Sequence, residues 1–197
     1  MKCSWTLAGL AMLSVTAAHA DVIFDNLSGA NAGVGIYSQT LWAGEEFNVP
    51  AGSNYIIDSV TLKLSANSGA SATAYLYEQA TNLPNPAGTI KNLGSVTGFS
   101  GIGIPDDKVF TPPSQLIVDA NTTYWVLLKA DNANNVSWHY TGDAATTGVG
   151  DYDFFCESIN SGASFGSPLP AFTTQFHMKV DGTVTALPVE LDSFLID

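Results

Sequence analysis

The most specific pattern for chemistry in this sequence is a Gly-x-Ser-x-Gly run at Gly162-Ala163-Ser164-Phe165-Gly166. It matches the nucleophile elbow of α/β-hydrolases, in which the serine lies between a strand and a helix and is followed by an acid and then a histidine. No Asp or Glu lies between Ser164 and His177, and Pro168 and Pro170 forbid a helix directly after the motif. The pattern therefore indicates a glycine-rich loop.

Histidine chemistry has little support. A zinc site usually draws on several His and Cys ligands, but beyond the N-terminal segment the chain has only His139, His177 and Cys156. Neither histidine has a partner at ligand spacing, and each falls in a stretch that favours a strand. We expect both to be ordinary strand residues, and we expect Cys156, beside Phe154 and Phe155, to be buried and inert.

Carboxylates occur in pairs that could serve a glycoside hydrolase. Such an enzyme needs two carboxyl groups about 5 to 10 Å apart that flank a cleft. The candidate pairs are Glu45 with Glu46, Asp106 with Asp107, Asp151 with Asp153, and Glu78 with Glu157. Solvated loop carboxylates are the alternative, and the sequence favours it. We therefore assign no catalytic residue.

Oxygen-rich side chains offer a candidate calcium site. Calcium takes about 6 to 8 oxygen ligands from carboxylates, amides and carbonyls, and Asp131, Asn132 and Asn134 alternate suitable side chains within one short segment. Asp25 is a further candidate ligand. The same segment also fits a plain hairpin turn, because Asn and Asp are turn-prone, and this alternative is favoured over a structural calcium ion.

Aromatic side chains offer a second kind of site, since sugar-binding sandwiches stack aromatic rings on pyranose faces. Trp138 and Tyr140 share one face of a predicted strand, and Tyr75 and Tyr77 share one face of another. These four residues are the candidate ligand-binding platform. Core packing is the alternative, because aromatic residues suit strands and bury large areas, and for Trp125 we expect the core.

Strands must position these residues, because helical periodicity is almost absent after the N-terminus. In Tyr55–Leu64, Ile56, Val60, Leu62 and Leu64 fall on one parity, which predicts a strand with one face in a core. Thr123–Lys129 is nearly continuous in apolar character, as in a strand covered on both faces. Further strands are predicted at Ala72–Tyr77, Ile90–Thr97, Lys108–Thr111, Gln115–Val118, Val136–Tyr140, Tyr152–Glu157 and Thr173–Val180. This strand density predicts an all-β, antiparallel β-sandwich with a jelly-roll-like form.

Export is indicated by the N-terminus. Lys2, an apolar stretch over 5–15 and Ala18-His19-Ala20 form the three parts of a signal peptide over residues 1–20. The sandwich domain is predicted over residues 21–182, with a short C-terminal tail over 183–197 and no membrane span after signal cleavage. The formal net charge is −12 and the chain has no arginine, which argues against nucleic-acid binding because phosphate contacts need clustered Lys and Arg.

Several segments in order resemble the choice-of-anchor family of exported bacterial surface domains, in particular type R. The most specific piece is Ala120-Asn121-Thr122-Thr123-Tyr124-Trp125. The others are Phe24-Asp25-Asn26, Ala43-Gly44-Glu45-Glu46-Phe47, Ile57–Leu62, Ala74-Tyr75-Leu76-Tyr77-Glu78, Phe110-Thr111 with Leu116, and Ser137-Trp138. The resemblance covers residues 22–182 and implies a jelly-roll-like sandwich at the cell surface with no established enzymatic activity. Members commonly end in a sorting signal, an apolar helix followed by a basic cluster, and residues 183–197 lack that pattern.

Three hypotheses follow. The first is a secreted or surface-associated module that binds a polysaccharide or cell-envelope glycan without catalysis, with calcium as an optional structural ion. The second is a purely structural envelope or matrix protein. The third is a carboxylate-pair glycoside hydrolase, which requires two nearby carboxyl groups in a cleft, one with a raised pKa.

Overall fold

The computed structural model describes residues 20–142, 145–170 and 175–185, and every regular element in these ranges is a β-strand. The fifteen strands are β1 Ala20–Asp25, β2 Asn31–Tyr37, β3 Trp42–Val49, β4 Tyr55–Ala66, β5 Ala72–Ala80, β6 Leu83–Pro84, β7 Lys91–Val96, β8 Gly101–Phe110, β9 Ile117–Val118, β10 Thr122–Ala130, β11 Val136–Thr141, β12 Phe154–Ser158, β13 Leu169–Pro170, β14 Gln175–Phe176 and β15 Met178–Val184. The described residues contain no helix of the length and apolarity that crossing a bilayer would take.

Two antiparallel sheets pack face to face. Sheet A runs β1-β15-β4-β11-β14, with β2 paired to β11 and with β8 and β9 paired to β4. Sheet B runs β13-β12-β3-β10-β5-β6, with β7 paired to β5. The predicted all-β antiparallel β-sandwich is confirmed.

The strand β10 shows how the core is filled. Its residues Tyr124, Val126 and Leu128 lie in the core between the sheets, whereas Trp125 and Leu127 lie in a second apolar cluster on the outer face of sheet B. The prediction of a strand covered on both faces is therefore confirmed, as is the burial of Trp125 and of the free thiol of Cys156.

The strand β4 departs from its predicted alternation. Val60, Leu62 and Leu64 are fully buried as expected, but Ile57 is buried to 3% exposure in place of Ile56. The cause is an irregularity in the pairing with β15, where Asp181 lies opposite Ser59 but Gly182 lies opposite Ile57. The extra residue is a bulge, which shifts the side-chain parity by one position.

The strand β2, which the sequence analysis missed, contains Gly33 and Gly35 for a steric reason. A Cβ on Gly33 would collide with the phenol of Tyr140, and a Cβ on Gly35 would collide with the phenol of Tyr37. The two glycines therefore let tyrosine rings lie across β2, and they also hide its strand pattern in the sequence.

The predicted domain limits need one adjustment. The tail was predicted from residue 183, but β15 continues through Val184, and the amide of Thr185 donates to the carbonyl of Asn54 at 2.9 Å. Residues 186–197 lie outside the described ranges. The predicted signal peptide also lies outside them, except for Ala20, which is the first residue of β1.

Candidate functional site

Trp138 does not form the predicted exposed platform. Its side chain has no solvent exposure, and its ring stacks on Phe176 at 4.7 Å between centroids. The indole Nε1 donates to the carbonyl of His177 at 3.0 Å. Trp138 is a core residue because its face of β11 is covered by sheet B, which the alternation of a single strand cannot reveal.

The other three residues predicted for the platform are half-buried or buried, and they do not all lie on one sheet. Tyr140, on the same face as Trp138, is half-buried with its ring edge-on to Phe176. Tyr77 is 2% exposed on the outer face of sheet B, and the half-buried ring of Tyr75 stacks on Trp42 at 5.5 Å. The platform prediction is therefore wrong, because the four rings belong to opposite sheets and pack against other aromatic side chains.

The predicted calcium ligands hold a turn together. The carboxylate of Asp131 accepts from the hydroxyl of Thr73 at 2.9 Å, and the amide of Asn132 donates to the carbonyl of Gly69 at 2.9 Å. Asn132 also accepts from the backbone N–H of Asn134 at 3.0 Å. These bonds tie the β10–β11 turn to β5 and to the β4–β5 turn. Because β10 lies in sheet B and β11 in sheet A, the turn carries the chain from one sheet to the other, and the hairpin that the sequence favoured is wrong.

Asp25 takes no part in that turn. It ends β1, where its carboxylate accepts from the amide of Leu27 at 2.8 Å and its backbone pairs with Lys179 and Thr147. Across the described ranges, no group of three or more His, Cys, Asp or Glu side chains converges on a point. Calcium binding by Asp25, Asp131, Asn132 and Asn134 stays a prediction.

Glu45 and Glu46 point to opposite faces of β3. Glu45 is fully buried between the sheets, where one oxygen accepts from the amide of Phe176 at 3.3 Å and Oε1 has no partner. Burial raises the pKa of Glu45 well above its usual range. Glu46 accepts from the amide of Asp153 at 2.7 Å, and burial raises its pKa to about 7. Two groups on opposite faces cannot flank one cleft.

Two further carboxylate pairs have other surroundings. Glu78 on β5 and Glu157 on β12 are separated by β3 and β10, which places them about 14 Å apart at the usual strand spacing, beyond the spacing of a glycosidase pair. Asp106 accepts from the amide of Ser100 at 2.9 Å and lies 3.4 Å from the amine of Lys108.

A surface groove of about 310 Å³ lies at one end of sheet A. Its lining comes from β2, β4, β8, β11 and the adjoining turns, and consists of Ile36, Ala66, Asn67, Ile102, Ala133, Asn134, Asn135 and Ser137. Ile36 and Ile102 are 56% and 72% exposed. None of these eight side chains ionises, so the groove offers apolar walls together with amide and hydroxyl groups. We call it the β4–β11 groove.

A chain of three polar groups, two of them buried, lies beside this groove. Ser65, directly opposite Ser137 in the pairing of β4 with β11, has its hydroxyl 2.8 Å from Nε2 of His139. Asn31, in the amide orientation that satisfies both of its groups, accepts from Nδ1 of His139 at 3.1 Å. The connectivity is that of a Ser-His-Asn triad, but Ser65 has no exposed surface and His139 only 2%. In this arrangement the three groups hold strands together.

A second groove, of about 280 Å³, lies beside β9 and is lined by Lys91, Asn92, Pro113, Ser114, Gln115, Leu116 and Ile117. Its one cation, Lys91, donates to the carbonyl of Ile117 at 3.1 Å. The second groove differs from the β4–β11 groove in this charge.

No family model matches the chain, and no curated protein matches it at a significant level. Solved structures do match. The structure of the cysteine protease and lectin-like domains of Cwp84, a surface layer associated protein of Clostridium difficile, superposes with a TM-score of 0.58 and 15% identity, over 84% of this chain and 36% of that one. The fold resembles a lectin-like domain. A variant of the clostridial cysteine protease Cwp84 after propeptide cleavage gives a TM-score of 0.55 and 14% identity, over 84% and 41% of the two chains.

The matched part of Cwp84 is its lectin-like part, and this chain spans less than half the length of either structure. At this identity the likeness shows the fold alone. Sequence reasoning missed the β4–β11 groove because its lining comes from separate strands and turns, although the run Asn132-Ala133-Asn134-Asn135 had marked one wall as a turn rich in amides.

Proposed function

We propose that this protein is an exported module of the cell surface that binds a neutral glycan in the β4–β11 groove without catalysing a reaction. The observation that carries the proposal is the groove's combination of apolar walls with amide and hydroxyl groups. Sugar rings present apolar C–H faces and hydroxyl groups together, and binding sites commonly meet such ligands with apolar walls and a few placed polar groups.

Two amides are available to a ligand. The side chains of Asn67 and Asn135 are exposed, and neither makes a side-chain hydrogen bond within the described part of the protein. Asn134 has its backbone fixed by Asn132, which holds this wall of the groove in place. An amide carries both donor and acceptor groups, which suits sugar hydroxyls, since these also act as both.

Charge favours a neutral ligand over an anionic one. The protein carries a formal net charge of −12 and has no arginine, and the groove contains no lysine or histidine. Glycans with sulfate, phosphate or uronic acid groups would therefore meet long-range repulsion with no cation to offset it. Neutral polysaccharides do not meet this electrostatic repulsion.

The comparisons and the sequence support the cellular setting of the proposal. The fold resembles a lectin-like domain of a surface layer associated protein, and the N-terminus has the pattern of a signal peptide. The resemblance to choice-of-anchor R domains points to the same location and implies no established enzymatic activity.

The test is binding of the chain from Asp21 onward to neutral polysaccharides (dextran, laminarin and galactomannan) and to acidic ones (alginate and pectate), with calcium and with chelator. We expect retention by at least one neutral polymer and none by the acidic ones. The double variant Asn67→Ala/Asn135→Ala should lose roughly tenfold or more in affinity, since each lost hydrogen bond costs about 1 kcal/mol.

Asn48→Ala is the matched control, because Asn48 is an exposed asparagine on β3 of the other sheet. Unchanged affinity in the double variant, or stronger retention by alginate than by the neutral polymers, would overturn the proposal. Absence of binding to the whole panel would favour the structural envelope alternative. Dependence of retention on calcium would revive the predicted ion site at Asp131.

A further inference from the structure

The loop of residues 26–30, between β1 and β2, is fastened to the outer face of sheet A by side chains beneath it. Lys63 donates through Nζ to the carbonyl of Leu27 at 2.6 Å, and Nδ1 of His177 lies 3.0 Å from the carbonyl of Asn26. The Asn26 side chain accepts from the amide of Met178 at 2.6 Å. We call residues 26–30 the covering loop.

Two buried histidines are neighbours in sheet A, at the point where β14 pairs with β11 and β15 pairs with β4. His177 lies where the chain from β14 to β15 passes between β11 and β4, since its amide donates to His139 and its carbonyl accepts from Lys63. Its neighbours Phe176 and Met178 face the inter-sheet core, so the imidazole points to the outer face, beneath the covering loop. His177 has no exposed surface and His139 only 2%.

The hydrogen bonds define the tautomer that each ring adopts when it is neutral. A carbonyl accepts from Nδ1 of His177, which leaves Nε2 as a bare acceptor, and this buried Nε2 has no hydrogen-bond partner. Nδ1 of His139 donates to Asn31, so Nε2 accepts from Ser65. A proton added to Nε2 of His177 would create a buried cationic donor with no acceptor.

The charged groups around the two rings oppose protonation of either histidine, because the amine of Lys63 already places a positive charge beside them. From β4 the amine of Lys63 acts on both rings, and the imidazole of His177 acts on that of His139. From β8 Asp107, paired opposite Lys63, supplies the one carboxylate that acts on His177. The covering loop places only a neutral residue, Asn26, against these rings. Burial, followed by these cations, lowers the pKa of His139; burial also lowers that of His177, against the Asn26 hydrogen bond.

We infer that the buried His139–His177 pair makes glycan binding sensitive to acid, by releasing the covering loop and loosening β2 when the histidines take up protons. The inference rests on the proposed function and adds a regulation of the same site. The connection is direct, because Asn31 follows the covering loop, begins β2 and bonds to His139, and the same strand carries Ile36 into the wall of the groove. Ser65, bonded to His139, lies next to Ala66 of the groove and opposite Ser137.

The test compares the wild type with His177→Asn, which keeps a donor at the position of Nδ1 and cannot titrate. Dissociation constants are measured at pH 7.5 and pH 5.5 for dextran, laminarin and galactomannan. We expect wild-type affinity to fall by roughly tenfold, as proton linkage allows for each proton and pH unit, and the affinity of His177→Asn to fall by a smaller factor, because only His139 of the pair still titrates in that variant.

Amide hydrogen exchange of the wild type provides a readout that needs neither the ligand nor the variant. After correction for intrinsic rates, the amides of Gly29 and Met178, which bond to Asn26, should lose protection at pH 5.5, whereas Leu127 in the centre of sheet B should keep it. Retained protection of Gly29 and Met178 at pH 5.5 would overturn the inference, as would equal affinity at both pH values. Absence of binding at either pH would contradict the proposed function, and exchange would then decide the loop's acid response separately.

Discussion

Glu45 and Glu46 are adjacent on β3, yet both carboxyl groups are buried, one on each face of sheet B. Glu45 lies among the core side chains between the sheets, and Glu46 bonds to Asp153 on the outer face. Each group binds its proton more tightly in the folded protein than in the unfolded chain, because burial raises both pKa values above the ordinary 4.5.

This relationship predicts that stability falls as the pH rises. Below about pH 4.5 the carboxyl groups are protonated in both states, and above it the unfolded chain loses protons that the folded protein retains. For Glu46 the loss extends from 4.5 to about 7, and for Glu45 well above 4.5. Glu45→Gln should therefore unfold at higher urea than the wild type, with a difference in unfolding free energy that grows between pH 5 and 8 by up to about 1.4 kcal/mol per pH unit.

Urea unfolding at several pH values measures this difference. Glu78→Gln, on the exposed surface of β5, makes the same chemical change and separates the loss of any carboxylate from the loss of the buried one. A constant difference between Glu45→Gln and the wild type across this range would show that Glu45 is ionised in the folded protein.

Trp138→Ala should destabilise the domain by about 3–5 kcal/mol, because it removes a fully buried ring that stacks on Phe176. Thermal and urea unfolding give the value. Trp138→Phe keeps an aromatic ring in the site and should lose less. A stable Trp138→Ala protein that has lost glycan binding would contradict the core assignment and restore the aromatic platform predicted from the sequence.

Gly35→Ala should cost about 1–3 kcal/mol of stability, since the new Cβ would overlap the ring of Tyr37. Gly69→Ala is the matched control, because its Cβ would have only one neighbour, the Asn134 amide at an ordinary 3.6 Å; it should stay within about 0.5 kcal/mol of the wild type. Chemical denaturation compares the two. Equal stability of both variants would mean that Tyr37 does not lie across β2.

The strands that the sequence predicts well are those with an uninterrupted apolar pattern, such as β10. The sequence analysis missed β2 because Gly33 and Gly35 carry no side chain to show its alternation, and it missed β3 because Glu45 and Glu46 look solvent-exposed in a sequence. The bulge in β4 shifts the buried position from Ile56 to Ile57, and only the pairing with Asp181 and Gly182 reveals it.

The candidate site was harder to predict than the fold. Alternation places Trp138 and Tyr140 on one face, but it does not say that sheet B covers that face. A turn at Asp131 was foreseen, because Asn and Asp are turn-prone, although it joins sheet B to sheet A and is not the predicted hairpin. The β4–β11 groove was not, since Ile36, Asn67, Ile102 and Ser137 are brought together only by the pairing of β2, β11, β4 and β8.

The most direct test of the account is a map of the binding site by NMR. Backbone amide shifts of the chain from Asp21 onward are followed during titration with the neutral polysaccharide that it retains best, or with an oligosaccharide of that polymer. The account predicts that the shifts concentrate at Asn67, Asn135 and Ser137 and are absent at Asn92 and Gln115 in the second groove. Shifts centred on the second groove, or on the Tyr75 side of sheet B, would contradict a glycan site at the β4–β11 groove.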